Sequence, residues 1–290
     1  MKFFVINFFA FFSIISYSQK KQEFSGVLKL NGDDKTLITY MISFDIKNGI
    51  LNGYSRTDIG GIHETKSIIS GSYNATTNIL TFNESQILYT KSQISQKDFC
   101  FVFYEGKLKL SDNLKEIKGA FISKYKDGKK CINGTLLLIN QKKIEKTINK
   151  LSNRIQSSKK LDTTTKKKFD LRNMADSLKV NQLLKNQNLS IFATSKMIVL
   201  EVWDNKKEDG DAINLYQNSK IVLNNYTVLN KKKTIEIPLT TTPILLRLEA
   251  TNEGTYAPNT AMIRIIDGEN SYELLSNLKK SESSSITIHN

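Results

Sequence analysis

Four carboxylates fall within eight residues in the run Trp203-Asp204-Asn205-Lys206-Lys207-Glu208-Asp209-Gly210-Asp211. So dense a set of negative charges repels itself unless water or a cation screens it. Ca²⁺ takes six to eight oxygens from Asp, Glu, Asn and backbone carbonyls, and glycine lets a loop turn tightly around the ion. A second polar run, Asn252-Glu253-Gly254-Thr255-Tyr256-Ala257-Pro258-Asn259-Thr260-Ala261, supplies more oxygen. The candidate ligand set is Asp204, Glu208, Asp209, Asp211, Asn252, Glu253 and Asn259, and Ca²⁺ is the only cofactor to which the sequence points. The spacing is not that of an EF-hand. The same residue types also make plain solvated turns, and that reading stays open. An ion held here would brace loops rather than catalyse.

Histidine-based catalysis has little to work with. Only His63 and His289 are present, and His289 precedes the C-terminal Asn290. Both read as surface residues, His289 at a frayed end where nothing would orient it as a base. No His-Glu-x-x-His, phosphate loop or dinucleotide fingerprint occurs. A pair of carboxylates hydrolyses glycosides without histidine, which leaves Glu84, Asp98 and Glu105 as candidates whose spacing carries no further signal.

The elements that must position these residues are mostly strands. Ile38, Tyr40, Ile42 and Phe44 alternate with smaller or polar neighbours, and Phe99, Phe101 and Phe103 alternate with Cys100, Val102 and Tyr104. Alternation of this kind marks half-buried strands. Turn signals at Asn31-Gly32-Asp33, Lys47-Asn48-Gly49, Ser111-Asp112-Asn113 and Lys126-Asp127-Gly128 separate them. A weak repeat, an apolar residue two places before glycine, recurs around Gly26, Gly53, Gly71, Gly119 and Gly134. Glycine weakens a strand unless the sheet bends sharply or a backbone passes close by. Residues 19–140 therefore read as an antiparallel meander, a small barrel or a strongly curved sheet of loosely lipocalin- or avidin-like architecture.

From Gln141 to Asn186 the chain carries 13 Lys/Arg against 4 Asp/Glu, most of the formal charge of +14. Ile144, Ile148, Leu151 and Ile155 form one helical stripe. A polar stretch, 158–169, separates this from a second helix capped by Asp170, with Leu171, Met174, Ala175 and Leu178 on one side. Residues 141–189 are thus a Lys-rich helical connector. Residues 190–290 show about eight short strands and read as a β-sandwich. The overall expectation is a mainly β chain. With the strand at 197–203 as the first and that at 244–251 as the fifth, an all-antiparallel arrangement sends both polar loops out of the same end of the sandwich.

Lys2, the apolar run Phe3–Ile15 and Ser16-Tyr17-Ser18 have the order of a secretory signal peptide, with cleavage near Ser18/Gln19. We expect residues 1–18 to be removed and the chain exported, to the periplasm, the cell surface or beyond. No later stretch is apolar enough to span a bilayer. Export makes the only two cysteines, Cys100 and Cys131, an expected disulfide. It also directs the basic connector away from nucleic acid, for which interleaved aromatics are lacking, and toward envelope components, glycans or other anionic surfaces.

The paired motifs Trp-Asp-Asn-x-x-Glu-Asp-Gly-Asp and Asn-Glu-Gly-x-x-x-Pro-Asn-Thr-Ala resemble a β-sandwich domain of exported bacterial proteins that is functionally uncharacterised. The resemblance covers about residues 195–290 and implies the fold but no activity. The leading functional expectation is a non-catalytic exported protein that binds a surface component or glycan through Ca²⁺-braced sandwich loops. The alternatives are a carboxylate-based glycosidase or other hydrolase in the first domain, and a carrier of small ligands.

Overall fold

The computed structural model describes residues 21–32, 36–108, 116–168, 171 and 180–290. The expected signal peptide, the turn expected at Ser111-Asp112-Asn113 and, Leu171 apart, the helix expected from Asp170 lie outside these residues. The protein is mainly β, as its alternating pattern predicts.

Eight strands form the first unit: β1 (Gln22–Leu30), β2 (Leu37–Lys47), β3 (Ile50–Thr57), β4 (Thr65–Asn74), β5 (Ile79–Thr90), β6 (Phe101–Lys107), β7 (Glu116–Lys124) and β8 (Gly134–Asn140). Each pairs antiparallel with the next, and β8 pairs back onto β1, so the meander closes into a barrel. Tyr40, Ile42 and Phe44 of the alternating β2 stripe point inward, where they pack with Phe24, Leu51, Ile69, Leu80, Phe82 and Tyr104. Gly26, Gly53, Gly71 and Gly134 of the repeat lie where a neighbouring strand's carbonyl approaches closely, whereas Gly119 meets only the Tyr104 ring. A Cβ on Gly26 would run into the Leu137 carbonyl, and one on Gly71 into that of Thr81. Asn48 and Gly49, both at positive φ, make the tight β2–β3 turn.

The closure is incomplete at one end, and β5 is the cause. It pairs with β6 only from Ile79 to Asn83. Two register shifts against β4 follow, between Glu84 and Tyr89, and register shifts of this kind bend a strand. The tip of β5 then pairs with β10 (Asn188–Phe192) through Thr90↔Ser190 and Tyr89↔Ile191. One sheet therefore runs from the barrel into the second unit.

That unit is a sandwich. β12 (Ala212–Gln217), β13 (Lys220–Thr227), β15 (Ile244–Ala250) and β18 (Ser283–His289) join β10 in the order β13-β12-β15-β18-β10. The other sheet is β14-β11-β16-β17-β9, built from β9 (Asn181–Leu183), β11 (Met197–Trp203), β14 (Lys233–Pro238), β16 (Asn259–Asp267) and β17 (Asn270–Leu278). Ile198, Leu200 and Val202 meet Ile213, Leu246, Leu248 and Ile286 in the core, which also takes in Leu88 and Tyr89 from the tip of β5. All eight strands expected after residue 190 are present. β9 and the start of β10 fall in the expected connector; three residues long, β9 is too short to show a period.

Helix α1 (Gln141–Ser157) lies against β8 and β1, its first turn capped by the Asn140 side chain, which accepts from the Lys142 N–H. Its inner stripe differs from the expected one: Ser152 is buried and Leu151 is exposed. The polar stretch 158–169 contains α2 (Thr163–Lys168), which Asp162 caps by accepting from Thr165 N–H at 2.7 Å. Among the described residues no helix is long and apolar enough to cross a membrane.

Candidate functional site

The loops β1–β2, β3–β4, β5–β6 and β7–β8 all leave the barrel at the end where β5 and β6 part. A cavity of about 490 Å³ opens there. Its wall is largely apolar: Leu28, Leu30, Ile38, Phe99, Val102 and Phe121 contribute. Two large exposed aliphatic side chains, Leu37 and Ile132, line the cavity as well. The disulfide Cys100–Cys131, Cα atoms 6.1 Å apart, ties the β5–β6 loop to the β7–β8 loop beside the opening. The expected cysteine pairing is therefore present.

Glu84 lines this cavity and is buried. It follows the last β5 residue paired with β6. Its Oε2 accepts from Val102 N–H at 2.8 Å, supplying an acceptor where the ladder has ended. Oε1 accepts from the Tyr40 hydroxyl at 2.9 Å and the Ser55 hydroxyl at 2.5 Å. Burial pushes the carboxyl up from its ordinary range, against the pull of these three hydrogen bonds. Burial and the adjoining carboxylate likewise hold the Tyr40 phenol well above its usual value. Asp58, His63 and Ser92 add polar atoms at the rim. His63 Nδ1 lies 3.0 Å from Ser92 Oγ, and Asp58 Oδ2 accepts from His63 N–H. Asp98 and Glu105 are exposed, and neither lines the cavity.

A second polar cluster sits outside the barrel, where it meets the sandwich. Glu64 is fully buried and accepts from Arg56 Nε (3.0 Å) and Nη2 (2.6 Å), the Tyr89 hydroxyl (2.7 Å) and Gly60 N–H (2.9 Å). Lys91 Nζ lies 3.7 Å away and donates to the Gln182 carbonyl of β9. Burial alone would raise the Glu64 carboxyl, but Arg56, Lys91 and the hydrogen bonds outweigh it and hold the group below its usual value. Beside it, Lys66 lies against the Tyr54 ring at 4.1 Å and the Tyr272 ring at 5.7 Å. Burial, helped by the positive charges of Arg56 and Lys21, lowers the Lys66 ammonium to about 8. Sequence reasoning singled out none of these residues. Tyr89, which donates to Glu64, and Gln182, whose carbonyl holds Lys91, lie 25 and 118 positions beyond Glu64, so no local pattern reveals the cluster.

The two polar loops of the sandwich do meet. Asn252 Oδ1 accepts from Ala212 N–H (2.7 Å), and its Nδ2 donates to the Gly210 carbonyl (2.8 Å). Asn259 Nδ2 donates to the carbonyls of Ala212 (2.9 Å) and Asn252 (3.0 Å). Asp211 Oδ2 accepts from Thr260 N–H at 2.7 Å, and Asp209 Oδ2 from Tyr256 N–H at 2.9 Å. Asp204 is buried and accepts from Lys206 N–H. The outer members go elsewhere: Glu208 accepts from Asn230 N–H, and Glu253 from Lys280 N–H. Among the described residues no three Asp, Glu, His or Cys side chains stand close enough together to hold one ion.

His289 is not frayed. It is the last residue of β18, pairs with Phe192 of β10 and stacks on that ring at 5.0 Å. Partial burial lowers its imidazole from the ordinary value. No family model, curated protein or solved structure matches this chain.

Proposed function

We propose that this is a binding protein whose barrel takes up a small, largely apolar molecule carrying one polar or basic group. The observation behind the proposal is the cavity of about 490 Å³ at the open end of the barrel. Its size and its apolar wall with a few polar groups are those of ligand sites in general. The strand divergence that opens the cavity also places Glu84 in its wall. With three neutral donors and no cationic partner of its own among the described residues, Glu84 suits an amine or hydroxyl on an otherwise apolar body. Leu37 and Ile132, exposed and lining the cavity, give such a molecule an apolar approach. This is the carrier reading among the sequence-based alternatives. An apolar wall offers few of the hydrogen bonds that a glycan would need, so the glycosidase reading gains no support from this cavity.

The test is uptake of a neutral polarity-sensitive dye, phenylnaphthylamine. Its emission should rise on mixing with the protein. Leu30→Trp, which places an indole in the cavity, should abolish the rise while thermal unfolding stays cooperative. Equal dye emission with both proteins would defeat the proposal.

A further inference from the structure

We propose that the seam between the loops 204–211 and 252–260 binds one Ca²⁺ ion, independently of anything the barrel holds. Three orphaned oxygens line the seam. Asp211 is 1% exposed and Asn259 0%, yet Oδ1 of each has no hydrogen-bond partner. Asp209 Oδ1 is in the same condition. Buried polar atoms are almost always satisfied, so three unsatisfied acceptors along one seam call for a partner that supplies positive charge or donors. The three side chains share one pattern. Each fixes itself across the seam with one terminal atom and leaves the other unused: Asp211 through Thr260 N–H, Asp209 through Tyr256 N–H, and Asn259 through the Ala212 and Asn252 carbonyls.

The chemistry of the orphans selects the ion. All three are hard oxygens, two from loop carboxylates and one from the amide of Asn259 at the start of β16. Ca²⁺ accepts such mixed and flexible oxygen sets, completing its shell with backbone carbonyls and water, whereas Mg²⁺ demands a near-ideal octahedron. The charge is also unbalanced. Asp209 and Asp204 both act on Asp211 through space, and among the described residues none of the three forms an ion pair. Two carboxylates and an amide make a donor set that does not require three converging acidic side chains. Glu208 and Glu253, held by backbone N–H groups away from the seam, are outside it.

Trp203, the only tryptophan, immediately precedes Asp204 and serves as a built-in antenna. Chelator-treated protein titrated with Tb³⁺ should show sensitised terbium emission on indole excitation. Millimolar Ca²⁺ should displace it, and Mg²⁺ should not. The same Ca²⁺ should raise the melting temperature of the chelated protein by several degrees, because an ion bound only by the native state stabilises it by mass action. Asp209→Asn keeps an oxygen for Tyr256 N–H but removes a charge and should lose both responses. Asp211→Asn, which keeps an acceptor for Thr260, should lose them too. Absence of terbium emission together with a melting temperature indifferent to Ca²⁺ would overturn the proposal. So would a full Ca²⁺ response in both variants, which would place the ion elsewhere.

Discussion

Replacing Glu64 with alanine should destabilise the protein by about 4 kcal/mol, within the usual range for removing one partner of a buried ion pair. The magnitude follows from what the substitution leaves behind. The Arg56 side chain is only 11% exposed and that of Lys91 only 2%, and both lose their anion. Arg56 loses two hydrogen bonds, and the Tyr89 hydroxyl and Gly60 N–H lose their acceptor. Glu64→Gln keeps an acceptor and the volume but not the charge, so its loss should be roughly half as large. Urea unfolding followed by fluorescence and far-UV circular dichroism measures both. The pH dependence provides a second check. The Glu64 carboxyl is held below its ordinary 4.5, so the unfolded chain takes up the proton first as pH falls. The contribution is complete above the unfolded value and disappears as pH drops through the folded one. The gap between wild type and Glu64→Ala should therefore be full at neutral pH and narrow below about pH 4.5. A loss under about 1 kcal/mol at pH 7, the range of an exposed pair, would refute the claim that this cluster joins barrel to sandwich.

Lys66→Met should act in the opposite direction. With the folded ammonium at about 8 against an ordinary 10.5, the unfolded chain holds a proton between those values that the folded chain does not. Wild-type stability should rise with pH across that window by up to about 3 kcal/mol, and the variant should be more stable at pH 7 with a flatter profile. Denaturation midpoints at pH 7 to 10.5 test this; parallel profiles would count against it. Reducing the Cys100–Cys131 bridge, which spans a sequence separation of 31, should cost roughly 3 to 4 kcal/mol in the loop-entropy description and weaken dye binding at the mouth. Gly71→Ala, whose methyl would strike the Thr81 carbonyl, should cost about 3 kcal/mol by overpacking, measurable as a fall in urea midpoint.

Much of this architecture is written locally. The inward stripe of β2, the Asn48-Gly49 turn and the glycine repeat are period and turn chemistry, and together they specify an antiparallel, strongly curved meander, whose closure comes from the distant pairing of β8 with β1. The strand count after residue 196 determines that two acidic and amide-rich loops meet, because each antiparallel reversal changes the end from which the chain leaves. Those statements need only residues close in sequence. Glu84 and Glu64 are different. In the sequence they are two carboxylates among 28 acidic residues. The first becomes the polar point of a cavity because β5 leaves β6 after Asn83. The second becomes a buried hub because Tyr89, Lys91 and the Gln182 carbonyl converge on it or beside it from distant elements. Ser152 and His289 make the same point: the face a helix buries and the order of a chain end depend on what packs alongside them. Burial and desolvation are properties of the assembled chain, and they decide which of many similar side chains are chemically unusual.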